Sequence, residues 1–134
     1  MESCTGGYLV NSITEVPDSA DYFKGGVVAY SQAMHMAHGV PAGVLQRYGV
    51  VSQENATAMA HAIRVHLGAD VGIGVTGVLG PSPLAGKPVG LAYLAIVSAS
   101  AVHAQEIRVP PRRVTIKRRV SNTALIELCK LLQG

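Results

Sequence analysis

Glu2-Ser3-Cys4-Thr5-Gly6-Gly7 runs directly into Tyr8-Leu9-Val10. A hydroxyl-and-thiol cluster, paired glycines and then an apolar run read as a tight turn entering a helix. The first turn of a helix leaves backbone N–H groups without intrahelical partners. With the helix dipole, those groups attract an anion or a developing oxyanion. Gly6 and Gly7 allow a ligand close to the backbone. Ser3 and Thr5 then serve as cap, ligand-binding hydroxyl or nucleophile, and a plain helix cap is the competing reading.

Outward from this turn, helices and short apolar strands succeed one another. The first helix is predicted over 6–13, ending before Pro17. A turn is expected at 18–22, and Gly25–Tyr30 reads as a short buried strand. Helical pieces follow from Gln32 to Gly39 and from Pro41 to Gly49. Ser52 is a good N-cap for a long helix to Leu67, with Gly68 to end it. Met59, Ala60, Ile63 and Leu67 give that helix an apolar face. Strands are predicted at 71–76, 91–98 and 103–109, the last two joined by a bend at 98–101. A final helix over 113–132 buries Ile116, Val120, Ala124, Leu128 and Leu131 at helical spacing. This mixture predicts a layered α/β domain.

The chain has 134 residues, enough for one domain with one core. A hydrophobic fraction of 49% against 14% charged fits a packed chain and excludes disorder. Many glycines and alanines predict close approach of elements. No apolar run is long enough to span a bilayer, so no membrane partner is expected. Cys4 and Cys129 make no disulfide framework, and a cytoplasmic setting is the simplest reading. The net charge is +3, with Arg112, Arg113, Lys117, Arg118 and Arg119 clustered. That suits a local anion site; a nucleic-acid groove would need wider coverage and stacking aromatics. No residues stand at metal-ligand spacing: His61 and His66 fall on different helix faces, and His35 and His38 lack a carboxylate or thiol partner.

Further blocks follow the first in order: Gly25-Gly26-Val27-Val28-Ala29-Tyr30-Ser31, Tyr48-Gly49-Val50-Val51-Ser52, Val75-Thr76-Gly77-Val78-Leu79-Gly80-Pro81 and Lys87-Pro88-Val89-Gly90. Together they closely resemble the C-terminal domain of the CinA family, the competence-damage-inducible proteins that include the nicotinamide mononucleotide deamidases. The resemblance covers nearly the whole chain, 1–134, as one domain. It implies a three-layer α/β/α sandwich around a mixed sheet. Relatives carry a helix and a strand before the first block, so the resemblance implies that this chain lacks them. It also implies an amidohydrolase that converts nicotinamide mononucleotide and water to nicotinate mononucleotide and ammonia, in pyridine nucleotide salvage, with no cofactor.

Amide hydrolysis needs a nucleophile, a base and donors for the oxyanion. By resemblance Ser3 is the nucleophile, and the N–H groups of Cys4, Thr5 and Gly6, with Gly7, hold substrate or oxyanion. Tyr30 matches a family tyrosine. The family places a lysine five residues after that tyrosine, and this chain has none there. Its segment is one residue shorter before Gly39. With the gap late, His35 takes the position and can act as base; with the gap early, Met34 does, and the protein is a degenerate nucleotide-binding module. The first alignment is preferred. Thr76 and Gly77 stand at a strand-to-loop junction, where open α/β sheets bind ligands. Arg113 matches a family arginine and is assigned to the phosphate or carboxamide end. Cys4 is a rival nucleophile, since a helix N-terminus lowers a thiol pKa. The small domain is expected to cover its open sheet edge against a copy of itself.

Overall fold

Three short strands and five α-helices share the chain, and a computed structural model describes all of residues 1–134. Helix α1 is Tyr8–Thr14, followed by a 3-10 turn at Ser19–Asp21. Helices α2 (Gln32–Ala37), α3 (Ala42–Tyr48) and α4 (Gln53–Leu67) precede the strands. Strands β1 (Gly72–Gly77), β2 (Leu91–Val97) and β3 (Val102–Arg108) are antiparallel in the order β1-β2-β3. Helix α5 spans Arg113–Gln133. No helix is long and apolar enough to cross a membrane.

The sheet is mixed, because two further segments join it beyond β1. Glu2 bridges Val75 on one side and Val28 on the other, both in parallel. Ser3 N–H donates to Val75 O (2.9 Å) and Val75 N–H to Met1 O (3.1 Å). On the other side Glu2 N–H donates to Val27 O (2.8 Å) and Ala29 N–H to Glu2 O (2.8 Å). Three parallel segments therefore lie side by side with their carboxyl ends together. That alignment brings Ser3, Tyr30 and Gly77 to one rim.

Helices cover both faces, and residue size decides which helix lies where. Val75, Leu94, Ile96 and Ile107 form one face and pack with Leu9 of α1 and Ile116, Val120 and Ala124 of α5. The opposite face is nearly bare under α4: Gly72 and Gly74 of β1, with Ala95 and Val97 of β2, meet Ala56 and Ala60. Met59 and Ile63 of α4 extend this second layer to Val40 and Leu45. The expected three-layer α/β/α architecture is thus present, and its tight layer is made of glycine and alanine.

Ser52 caps α4 as expected, its Oγ accepting from Asn55 N–H at 3.1 Å, and Gly68 ends it in the left-handed conformation. Two expectations need correction. Gly25–Tyr30 is not a full strand: only Val28 bridges a neighbour, and its side chain is 44% exposed, because no element lies outside it. Leu131 is 46% exposed rather than buried. A 21-residue helix is about 31 Å long and outruns seven-residue strands of about 24 Å, so its last turn passes the sheet.

Candidate active site

The rim opens into a cleft of about 390 Å³, within the size range of small-molecule sites. Ser3, Cys4, Tyr30, Gly77 and Arg113 line it, with Val50–Val51 and the 78–84 loop as walls. Five sequence-derived residues therefore meet in one place.

Ser3 is held by the sheet through its N–H and is 8% exposed. Its hydroxyl makes no hydrogen bond within the protein, so it is uncommitted at the cleft. Gly6 N–H donates to Ser3 O (3.1 Å) to close the turn, which removes it from the oxyanion donors. The N–H groups of Cys4, Thr5 and Gly7 remain unbonded.

Glu2 is the residue the sequence reading passed over. Its carboxylate is 1% exposed and accepts from Leu9 N–H and Val10 N–H, both at 2.9 Å, and from the Thr5 hydroxyl at 2.5 Å. Gly7, the N-cap of α1, offers no side chain, so Glu2 caps the helix from five residues upstream. This corrects the expectation that the first turn of α1 awaits an external anion: an internal carboxylate already occupies it. Thr5 is correspondingly a structural hydroxyl, 1% exposed, not a cleft residue. The signal available in sequence was an acidic residue just before a helix whose own cap position is glycine.

Cys4 lines the cleft, yet burial pushes its thiol up to about 12, against the smaller downward pull of nearby N–H groups and Lys117. The lowered thiol pKa expected at a helix start is therefore not found, and Cys4 holds no thiolate advantage over Ser3.

His35 is also corrected. It lies in the core, 0% exposed, away from the cleft lining. Its Nε2 lies 2.9 Å from Ala29 O and its Nδ1 3.2 Å from Asn55 Nδ2. A carbonyl partner makes Nε2 the donor, and Nδ1 then accepts from the Asn55 amide. Both nitrogens are occupied, so no lone pair faces a substrate. Asn55 Nδ2 also donates to Val50 O (2.6 Å), and Thr76 Oγ1 donates to the same oxygen (2.9 Å). His35, Asn55 and Thr76 thus hold the Ala29–Tyr30 and Val50 walls from behind. Thr76, 0% exposed, does not line the cleft.

Burial lowers the His35 pKa from its ordinary 6.5. Between the depressed folded value and 6.5 the unfolded chain binds the extra proton. His35 therefore contributes stability that is complete above 6.5 and lost as pH falls through that window, at most about 1.4 kcal/mol per pH unit. Urea unfolding at pH 7.5 and 5 is expected to show a smaller acid loss in His35→Gln than in the native protein. Equal losses would mean that His35 titrates normally.

Arg113 stands at the cleft mouth. Its Nη1 donates to Gly80 O (2.7 Å) and its Nη2 lies 3.5 Å from the Tyr30 hydroxyl. Lys87 reaches back from the 82–90 loop to donate to Val51 O, pinning that loop to the cleft wall. Three or more His, Cys, Asp or Glu residues do not gather anywhere at metal-binding distance.

Residues 1–132 match the family model described as CinA C-terminal domain. A protein of Desulforamulus reducens named as competence-damage inducible is 43% identical over 134 residues, covering 99% of this chain and 33% of that relative. A CinA-like protein of Amoebophilus asiaticus is 39% identical, covering 99% of this chain and 32% of its own length. The chain therefore spans about a third of the length of these relatives. Among solved structures, competence/damage inducible protein CihA from Agrobacterium tumefaciens superposes with a TM-score of 0.92 at 34% identity, over 97% of this chain and 81% of that one. The competence damage-inducible protein A (ComA) from Klebsiella pneumoniae gives 0.95 at 27% identity, over 99% and 84%.

Proposed function

This chain belongs to the CinA C-terminal domain family, and from that premise we propose that it is an amidohydrolase acting on nicotinamide mononucleotide, with Ser3 as nucleophile. The observation that carries the reading is the convergence of an uncommitted Ser3 hydroxyl, Tyr30 and Arg113 on one cleft at the carboxyl ends of parallel segments.

In this reading Ser3 Oγ attacks the carboxamide carbon and the C–N bond breaks after a tetrahedral intermediate. The unbonded N–H groups of Cys4 and Thr5 are the donors for its oxyanion. The serine proton passes by way of Tyr30, held beside Arg113, to the departing ammonia. Water then cleaves the nicotinoyl ester and frees Ser3.

The enclosure of His35 favours a second reading, a nucleotide-binding module without turnover. Incubation with nicotinamide mononucleotide separates the two. The amidohydrolase releases one ammonia per nicotinate mononucleotide formed. Calorimetric binding with no ammonia after prolonged incubation would establish the binding module instead.

A further inference from the structure

Three segments of the cleft wall meet in one buried hydrogen-bond network behind it. His35 and Asn55, at its centre, are both fully buried. Ala29 is fixed from two sides: its N–H donates to Glu2 O (2.8 Å), and its carbonyl accepts from His35 Nε2 (2.9 Å). Tyr30, the next residue, lines the cleft. On the other side of the ring, Nδ1 lies 3.2 Å from Asn55 Nδ2, and the same amide nitrogen lies 2.6 Å from Val50 O. Thr76, beside Gly77 of the cleft, also donates to Val50 O. A backbone carbonyl accepts only from the NH2 end of an amide, which fixes how Asn55 is turned. One amide hydrogen then serves Val50 and the other His35. The Asn55 carbonyl oxygen Oδ1 is buried and makes no hydrogen bond.

This arrangement suits one charge state of His35 only. A neutral ring with its proton on Nε2 offers a lone pair at Nδ1 to the Asn55 amide. A protonated ring carries hydrogens on both nitrogens, and its Nδ1–H then points at an NH2 group. The acceptor Asn55 can bring is its idle Oδ1, and turning the amide to present it takes the donor away from Val50 O. Asn55 therefore bonds to a neutral His35 and Val50 together, or to a charged His35 alone. No charged side chain enters this balance: burial, Ala29 O and Asn55 are what act on the ring. The Met1 amine shares the core layer of Ala29 and Met59 but donates to Ile73 O.

We propose that His35 and Asn55 are positioning residues that tie the state of the Ser3 cleft to a single proton. With His35 neutral, the Ala29–Tyr30 and Val50 walls are held and the cleft takes its ligand. With His35 charged, Asn55 turns away and leaves Val50 O to Thr76 alone. Linkage fixes the direction. A ligand that needs the held wall binds the neutral form, so acid weakens it, and its binding lowers the His35 pKa further. The nature of the ligand rests on the amidohydrolase reading; the coupling of proton to wall does not.

The test has two arms. In the ligand-free protein, proton–nitrogen correlation spectra follow the His35 ring, the Asn55 side-chain amide and the Val50 N–H as pH falls. All three are expected to move at one midpoint, below 6.5 because burial lowers the ring's pKa. In His35→Gln the Asn55 and Val50 signals should stay still. In the second arm, calorimetry reads nicotinamide mononucleotide binding at pH 7.5 and one unit below that midpoint. The native protein should lose at least about threefold more affinity than His35→Gln, a comparison that cancels titration of the nucleotide phosphate. His38→Gln, on the same helix but outside the network, should keep the native response. Asn55→Asp presents acceptors only: it should raise the His35 midpoint and weaken nucleotide binding at pH 7.5 by at least about threefold. A His35 ring that titrates while Asn55 and Val50 stay still, or equal acid losses in native protein and His35→Gln, would overturn the coupling. Where a variant fails to fold, the native spectra alone decide. If the nucleotide binds at no pH, the amidohydrolase reading falls, and the ligand-free arm still decides the coupling.

Discussion

Ser3→Ala is expected to lower ammonia release from nicotinamide mononucleotide by about 10⁴-fold or more, while nucleotide affinity stays within a few-fold of native. The size of the effect follows from the role. A nucleophile forms the bond that the reaction needs, and its removal leaves only oxyanion donors and positioning. The fold should tolerate the change. The Ser3 hydroxyl makes no hydrogen bond in the protein, and the residue is anchored through its backbone N–H to Val75 O, which alanine retains. Unfolding temperature is therefore the control. A variant that melts normally, binds the nucleotide and turns over within tenfold of native would remove Ser3 from the chemistry. Cys4 gains no thiolate character from its place beside Ser3, because burial pushes its thiol up to about 12.

Gly74→Ala is expected to be strongly destabilising. A methyl there would overlap the Ala56 carbonyl oxygen and lie 2.7 Å from Ala60 N and 3.0 Å from the Met59 Cβ. Most of these are backbone or near-backbone atoms of α4, so no rotamer change relieves them. Overpacking costs about 3 kcal/mol where neighbours cannot move, and the loss here should reach at least that. For a domain of this size the loss corresponds to a fall in Tm on the order of 10 °C. The damage should extend to the cleft, because α4 carries Asn55 and follows the Val50–Val51 wall. Gly43→Ala is the matched control, since its added methyl meets nothing within 4 Å. A Gly74→Ala protein that melts within about 2 °C of native would show that α4 can lift from the sheet at little cost.

The sequence alone carried a good part of this protein. Periodicity and caps located α4 and α5, because Ser52, Gly68 and the spacing of Ile116, Val120 and Ala124 are local signals. The ordered glycine-rich blocks identified the family and hence the layered sheet. They also brought forward Ser3, Tyr30, Gly77 and Arg113, all of which line one cleft. The excess of glycine and alanine foretold a close approach of elements, realised where β1 meets α4.

What the sequence could not decide was which polar groups face inward. A histidine five residues after Tyr30 is the same letter whether its ring points to solvent or into the core. Only the packing of α2 against the Ala29 carbonyl and Asn55 encloses His35, and its partners lie 6 and 20 residues away. Glu2 is likewise an ordinary acid in sequence. Its role as the cap of α1 appears only when the sheet holds Met1–Ser3 between Val28 and Val75 and sets the carboxylate under Leu9 and Val10. Lys117 comes to Gly6 for the same kind of reason: α1 and α5 share one face of the sheet. Local propensity and spacing reach only a few residues along the chain. The pairing of a buried donor with its acceptor is set by layers that bring distant segments together, and tertiary structure alone decides it.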